Sequence, residues 1–268
     1  MMRRGSRFVK GISPVIATVI LTSIMLTIIS VALFYSTSLI DMNRQTMEYE
    51  YAKEQLTYAA SALEQVAFGT GGARYIRFSL TSTRLSFLNS GQTLRVSVTP
   101  GSLKIYEDTP LYLQVCGGPL VTTSQRLIYP ETGSLEQELS KLVVGAGEPI
   151  VVVYENFSGA ACSYLVPRLR AFFSGQINVT VNGVLKRYNY YTLHIVKLKF
   201  GRLGGTGTIP VIFRSVNMTV NEYRFDNTNT LTLTITRGSA SQTVTLTGPP
   251  SDGSVLVVKI ALVDISTS

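Results

Sequence analysis

The stretch Lys10-Gly-Ile-Ser-Pro-Val-Ile-Ala-Thr-Val-Ile-Leu21 opens a run with no charged or histidine side chain before Asp41. A bilayer core requires about 20 apolar residues in a helix, because a single segment can satisfy its backbone hydrogen bonds there only as a helix. The run from Ile12 to Ile40 exceeds that length. It therefore predicts a membrane-spanning helix with Pro14 in the first turn, where a missing N–H costs little.

Basic residues precede this run: Arg3, Arg4, Arg7 and Lys10. Because positive charge stays on the cytoplasmic side, we expect a cytoplasmic N-terminus and an extracellular C-terminal part beyond about residue 41. A secretory signal peptide has an apolar core of about 7–15 residues and a small-residue cleavage site, so this run is too long for one. A permanent signal anchor remains open, as does a signal that is cut before the apolar helix.

The residues from Lys10 to Ala17 resemble the N-terminal segment of archaeal type IV pilins and archaeal flagellins, which carry a class III signal peptide. The resemblance is confined to the N-terminal segment, through Ile40. It implies that a prepilin peptidase cleaves after Gly11, which makes residues 1–11 a leader and Ile12 the first mature residue. Bacterial type IV pilins carry Glu at the fifth mature position, where this chain has Ile16, so the resemblance is to the archaeal branch.

The resemblance also implies the partners. They are further copies of the chain, bound through their N-terminal helices in a homo-oligomeric filament, together with the prepilin peptidase, the pilus assembly machinery and the membrane. The expected location is a single-pass membrane position before cleavage and a cell-surface filament after it. The alternative function is a membrane-anchored extracellular binding protein, or adhesin, that does not polymerise.

Residues 41–68 continue the helical pattern with charged residues added. Their apolar positions recur at helical spacing: Ala52, Leu56, Ala59, Ala60, Leu63, Val66 and Ala67. Gly69, Gly71 and Gly72 then predict the end of the helix. We therefore expect one helix from about Ser13 to Phe68, with residues 12–68 as the transmembrane and assembly segment and with Glu48, Lys53 and Glu64 on its polar faces.

Small and hydroxylated residues recur within the apolar run. We interpret five of them as contacts between helices, because such residues allow close approach in a membrane: Ala17, Thr18, Thr22, Thr27 and Ser30.

From residue 75 to residue 268 the apolar residues alternate with period two between turn-forming clusters. This pattern predicts an antiparallel β-sandwich head, and hence an α+β fold. Only residues near 134–142 favour a helix, capped by Ser134. A sub-boundary near residue 174 would divide the head into two β units. Asn178–Asn182 is similar to Asn217–Asn221, but we favour shared strand composition over a duplication, because two copies fall short of a convincing repeat.

Three N-glycosylation sequons begin at Asn156, Asn178 and Asn217, all in the part expected to be extracellular. Glycans there would shield strand edges and protect the protein from proteases. Cys116 and Cys162 are the two cysteines of the chain. Outside the membrane they favour a disulfide, with two buried free thiols as the alternative.

The sequence offers little for catalysis. The one histidine, His194, lies in an alternating strand pattern, and the acids Glu107, Asp108 and Asp226 lie in turn contexts. No hydrolase elbow, metalloprotease helix or phosphate loop occurs, so we expect no enzyme, no metal site and no cofactor. The net charge is +8, but without the leader 20 basic and 16 acidic residues remain, a net charge of +4. We therefore expect no nucleic-acid partner.

Overall fold

The computed structural model describes residues 14–69, 71–181, 183–205 and 207–267. Helix α1 spans Pro14–Phe68, which confirms the prediction of one long helix ending at the glycines. A Cβ atom on Gly69 would lie 2.9 Å from the carbonyl oxygen of Gln65, and Gly71 has a φ of +70°, a conformation that L-residues with side chains rarely adopt. The helix therefore ends where the chain can turn away.

Contacts divide the chain into two units, with the boundary between Arg44 and Gln45. Every described side chain of the first unit, from residue 14 to residue 44, is exposed. This part of α1 is long and apolar enough to cross a membrane. The second unit contains the rest of α1, a short helix and all of the described strands.

The second unit is rich in β-structure. Its strands are β1 (Ala73–Leu80), β2 (Arg84–Asn89), β3 (Leu94–Thr99), β4 (Leu103–Asp108), β5 (Leu111–Cys116), β6 (Arg126–Tyr129), β7 (Val143–Val144), β8 (Val151–Phe157), β9 (Ala161–Pro167), β10 (Leu169–Val181), β11 (Val184–Phe200), β12 (Gly207–Asp226), β13 (Thr230–Arg237), β14 (Ala240–Thr247) and β15 (Gly253–Thr267). Helix α2 spans Leu135–Ser140, and the Ser134 hydroxyl accepts a hydrogen bond from the backbone N–H of Gln137, so the predicted helix and its cap are confirmed.

The strands form three sheets. The central sheet has the order β1-β12-β15-β11-β10-β7, a second has the order β14-β13-β3-β4, and a third has the order β2-β5-β9-β8-β6. The α+β class, with a long helix before a β-rich head, is confirmed. Most pairs are antiparallel, but β11 pairs in parallel with β15, and β7 with β10. Period-two alternation could not reveal these pairs, because it identifies strands and not their neighbours.

Two hydrophobic cores lie on opposite faces of the central sheet. On one face, the apolar stripe of α1 from Ala52 to Ala67 packs with side chains of the central and third sheets, including Phe213 and Leu165. On the other face, the second sheet covers the central one, with Leu193 and Leu233 among the buried residues. The amphipathic part of α1 is thus a component of the head.

Residues 174–175 lie inside β10, at a shift of its register with β11. The two similar segments considered for a duplication have different surroundings. Asn178 lies in β10, which forms a hairpin with β11, whereas Asn217 lies in β12, which pairs with β15 and β1. Strand composition therefore accounts for their similarity.

Candidate functional site

The most distinctive surface of the chain is the exposed apolar part of α1. Large hydrophobic side chains are exposed along its whole described length, from Val15 at 69% to Phe34 at 76% and Ile40 at 63%. Soluble proteins rarely expose a continuous apolar surface of this kind, because burying it would be favourable. This surface, residues 14–40, is therefore complementary to lipid or to other apolar helices.

Several hydroxyl groups on this surface are satisfied within the helix. The Oγ1 atom of Thr22 donates to the carbonyl oxygen of Thr18 at 2.9 Å, that of Thr27 to Ser23 at 2.8 Å, and the Oγ of Ser30 to Leu26 at 2.8 Å. Such bonds hide the hydroxyl proton from an apolar solvent. The segment therefore presents no unpaired hydroxyl donor at these positions.

The five small residues predicted to make helix contacts, Ala17, Thr18, Thr22, Thr27 and Ser30, are all exposed. At 100° per residue, Thr18 and Thr22 share one face, whereas Thr27 and Ser30 lie together on a face turned by roughly 100–140° from it. Their role as contact positions between helices stays a prediction. Two separate faces would suit a helix that has neighbours on more than one side.

The amphipathic part of α1 is fixed to the head by acidic side chains that the sequence placed on polar faces. Glu48 accepts hydrogen bonds from the backbone N–H groups of Thr81 and Ser82, at 2.5 and 2.8 Å, and from the Ser82 hydroxyl at 2.7 Å. Burial acts to raise the pKa of Glu48, but these hydrogen bonds lower it overall. The carboxylate therefore stays ionised where it holds the β1–β2 turn.

Glu64 has a similar role near the C-terminal end of residues 45–68, which we call the docked part of α1. Its Oε1 accepts a hydrogen bond from the backbone N–H of Ile150 and lies 3.8 Å from a guanidinium nitrogen of Arg170. That guanidinium also lies over the ring of Phe68, with its carbon 4.8 Å from the ring centroid. The last turns of α1 are thus held by both polar and aromatic contacts.

Lys53 is the clearest correction to the sequence analysis. It is only 6% exposed, and its Nζ lies 3.4 Å from the Oε2 of Glu155, which is 1% exposed. Glu155 also pairs with Arg126, and the hydroxyl of the buried Tyr49 lies 2.8 Å from the Oγ of Ser163. Burial raises the pKa of Tyr49. We name Tyr49, Lys53, Glu155 and Ser163 the buried polar cluster, which the exposed Arg126 joins from the surface.

One feature of the sequence points to this cluster. Tyr49 lies three residues before Ala52 and Lys53 three residues before Leu56, which places both on the side of the helix that carries the apolar stripe. The sequence could not show the buried carboxylate of Glu155, about a hundred residues away. This carboxylate offsets the cost of removing the lysine ammonium from water.

His194 lies among aromatic rings at the end of the docked helix. Its ring centroid is 4.8 Å from that of Phe68 and 5.8 Å from that of Phe172. Burial, together with the nearby charges of Lys259 and Arg170, lowers the pKa of His194 to about 4. These contacts fit a packing role in the strand, where the alternating pattern had placed it.

The acids considered for catalysis all lie in ion pairs. Glu107 pairs with Lys104 and Arg95, Asp108 with Lys197 at 2.6 Å, and Asp226 with Arg224 at 3.0 Å. Within the described residues, no group of three or more His, Cys, Asp or Glu side chains could hold a metal ion.

Cys116 and Cys162 form a disulfide that joins the neighbouring strands β5 and β9. Ser163 of the buried polar cluster follows Cys162 in β9, so by the alternation of side chains the disulfide and the cluster lie on opposite faces of the third sheet. Of the two alternatives that the sequence left open, a disulfide or two buried free thiols, the structure has the disulfide.

The three sequons lie in strands of the second unit. Asn178 in β10 and Asn217 in β12 are exposed, whereas Asn156 in β8 is half-buried opposite Cys162. The expected processing residues Lys10, Gly11 and Ile12 lie outside the described residues.

Comparison of the chain with models of protein families, with curated proteins and with solved structures finds no match. The resemblance to pilins therefore depends on the N-terminal residues and on the architecture of a long apolar helix followed by a β-rich head.

Proposed function

We propose that this chain is a structural subunit of an archaeal type IV pilus-like surface filament, released by cleavage after Gly11 and assembled through the apolar surface of α1. The observation that carries the proposal is the exposed, charge-free segment 14–40, which begins three residues after Gly11 in the sequence Lys10-Gly11 and precedes a β-rich head. A helix of this kind requires either lipid or other apolar helices around it, and cleavage would let it exchange the first for the second.

In this proposal the two parts of α1 have separate roles. Residues 14–40 of many copies pack together as the filament core, with Thr18 and Thr22 on one contact face and Thr27 and Ser30 on another. Residues 45–68 hold the head, which forms the outer layer outside the membrane. No enzymatic activity, metal or cofactor is needed, and the proposed partners are further copies, the peptidase, the assembly machinery and the membrane.

Mass spectrometry of the N-terminus tests the cleavage. We expect Ile12 as the first residue of surface material and expect Gly11→Val to leave the leader attached, because a branched side chain would replace the glycine at the cut bond. Gly5→Val is the matched control, since it changes a glycine in the same leader away from the junction. A retained leader in the wild-type protein would contradict the proposal.

Electron microscopy of sheared surface material tests assembly separately. The wild type and Gly5→Val should show filaments, and Gly11→Val should show none. Cleavage at Gly11 without filaments, or a leader that is never removed, would instead favour the anchored extracellular binding protein.

A further inference from the structure

The central sheet has two strand edges that lack a neighbouring strand. β10 pairs with β7 only at Leu169 and Arg170, so residues 171–181 have β11 on one side and, among the described residues, no strand on the other. β12 pairs with β1 only as far as Arg214, so residues 216–226 have β15 as their one described neighbour. We call residues 171–181 and 216–226 the two open edges.

Open edges are a hazard because their free N–H and C=O groups can pair with a strand of another chain. Residues 171–181 contain no charged residue and no proline, and Ile177 is 48% exposed. The first part of the other edge, residues 216–221, also lacks charge and proline, with Val216 51% and Val220 49% exposed. Uncharged segments rich in β-branched residues are the ones that aggregate most readily through their edges.

Five of the six outer strands of the three sheets, all except β14, are protected by recognised means. Charged residues lie on three of them: Arg74 and Arg77 on β1, Arg84 on β2, and Lys104 and Glu107 on β4. β6 and β7 have only four and two residues. β14 has neither charge nor proline, and its one contact of this kind is local: the Gln242 side chain accepts hydrogen bonds from the backbone N–H groups of Leu142 and Val143, at 2.6 and 3.0 Å. The two open edges have none of these devices over their uncharged parts.

Each uncharged open edge carries a sequon instead. Asn178 lies in the β10 edge and Asn217 in the β12 edge, and both side chains are exposed. Asn178 pairs with Arg187 and Asn217 with Leu262. By the alternation of side chains, both asparagines lie on the face of the central sheet that packs against the second sheet. An added strand would lie about 4.8 Å from each edge, and a glycan that rises from this face at the edge would crowd the side chains that such a strand places on the same face.

We propose that Asn178 and Asn217 carry N-linked glycans that keep the two open edges from pairing with other chains. The co-reactant is a lipid-linked oligosaccharide. The Nδ2 atom of the asparagine forms a bond to the anomeric carbon of the first sugar, and the bond from that carbon to the lipid phosphate oxygen breaks. The lipid phosphate leaves with the electron pair, and the amide nitrogen loses one proton. The inference requires only an extracellular head, so it does not depend on filament formation.

Matched substitutions in the sequon hydroxyl test this inference on protein isolated from the native cell surface. Thr180→Ala with Thr219→Ala destroys both sequons but keeps both asparagines, whereas Thr180→Ser with Thr219→Ser keeps both sequons. We expect the wild type and the serine variant to carry both glycan masses and to stay dispersed. The alanine variant should lose both masses and shift from subunit-sized or single-filament species to large lateral aggregates in sedimentation.

Two further variants separate edge protection from general solubility. Ser158→Ala removes the Asn156 sequon, which lies outside the open edges, and should leave association unchanged. Adding Val179→Lys and Val220→Lys to the alanine variant should restore dispersion, because a charged edge pairs poorly. An unmodified Asn178 or Asn217 in the wild type, an alanine variant that stays dispersed, or a lysine variant that still aggregates would each overturn the inference. Filaments are counted independently, so the proposed function is judged on a separate result.

Discussion

Residues 14–40 and residues 45–68 belong to one helix but have opposite relations to the rest of the chain. Leu26 is 65% exposed and Leu63 is fully buried, although both are leucines of the same helix. The later part has a stripe of apolar residues with charged residues beside it. The head packs against the apolar stripe and provides hydrogen-bond and ion-pair partners for the charged residues. The earlier part is apolar on every side and has no described partner in its own chain. The difference shows that folding of the head uses one part of the helix and leaves the other exposed, where the proposed association would take place.

A charge in the exposed part should have the largest effect. Leu26→Arg places a guanidinium in the middle of the apolar surface, at a cost of about 3 kcal/mol for insertion at the centre of a membrane helix. We expect no surface filaments by electron microscopy and unchanged urea unfolding of the full chain in detergent. Leu26→Met is the control. Normal filaments from Leu26→Arg would show that this surface does not mediate assembly.

Truncation of the corresponding leucine in the docked part should do the reverse. Leu63→Ala leaves a cavity in the core and should lower the free energy of unfolding by about 3 kcal/mol. Leu26→Ala, the same substitution on the exposed surface, should leave the unfolding midpoint unchanged. Equal effects from the two substitutions would abolish the distinction between the two parts of the helix.

Loss of the lysine from the buried polar cluster should have an intermediate effect. Lys53→Met removes one of the two cations that pair with Glu155, and we expect a loss of about 2 kcal/mol because Arg126 remains. Lys104→Met, which breaks an exposed pair with Glu107, should cost less than about 1 kcal/mol. The comparison is made by urea unfolding at neutral pH, and a Lys53 variant as stable as the Lys104 variant would show that the buried pair contributes little.

The smallest expected effect is a pH dependence at the end of the docked helix. Because the pKa of His194 falls from an ordinary value of 6.5 to about 4 on folding, the unfolded chain binds more protons between these values. The contribution of His194 to stability is therefore constant above about pH 6.5 and is lost as the pH falls towards 4. His194→Gln should make the loss of thermal stability between pH 7 and pH 4.5 smaller. A slope identical to that of the wild type would contradict this assignment.

Much of the fold could be predicted from the sequence because its signals are local. Each of these signals depends on residues that are close in the sequence. They are the charge-free run, the helical stripe from Ala52 to Ala67, the terminating glycines and the Ser134 cap. The parallel pairing of β11 with β15 could not be predicted, because three intervening strands separate these partners in the sequence. The prediction that Lys53 lies on a polar face was wrong for the same reason, since its burial depends on Glu155 in a distant strand. The sequons were visible, but their place on open edges required the pairing of the sheet.

The hydrogen bonds that Thr22, Thr27 and Ser30 make to their own helix have a consequence for reversibility. Each of these hydroxyls donates to a backbone carbonyl oxygen in the preceding turn of its own helix. Its partner is therefore the same among lipid tails as beside another protein helix. Moving residues 14–40 between these two surroundings therefore breaks none of these bonds. If the proposed filament forms, returning a subunit to the bilayer would therefore cost no hydrogen bond at Thr22, Thr27 or Ser30.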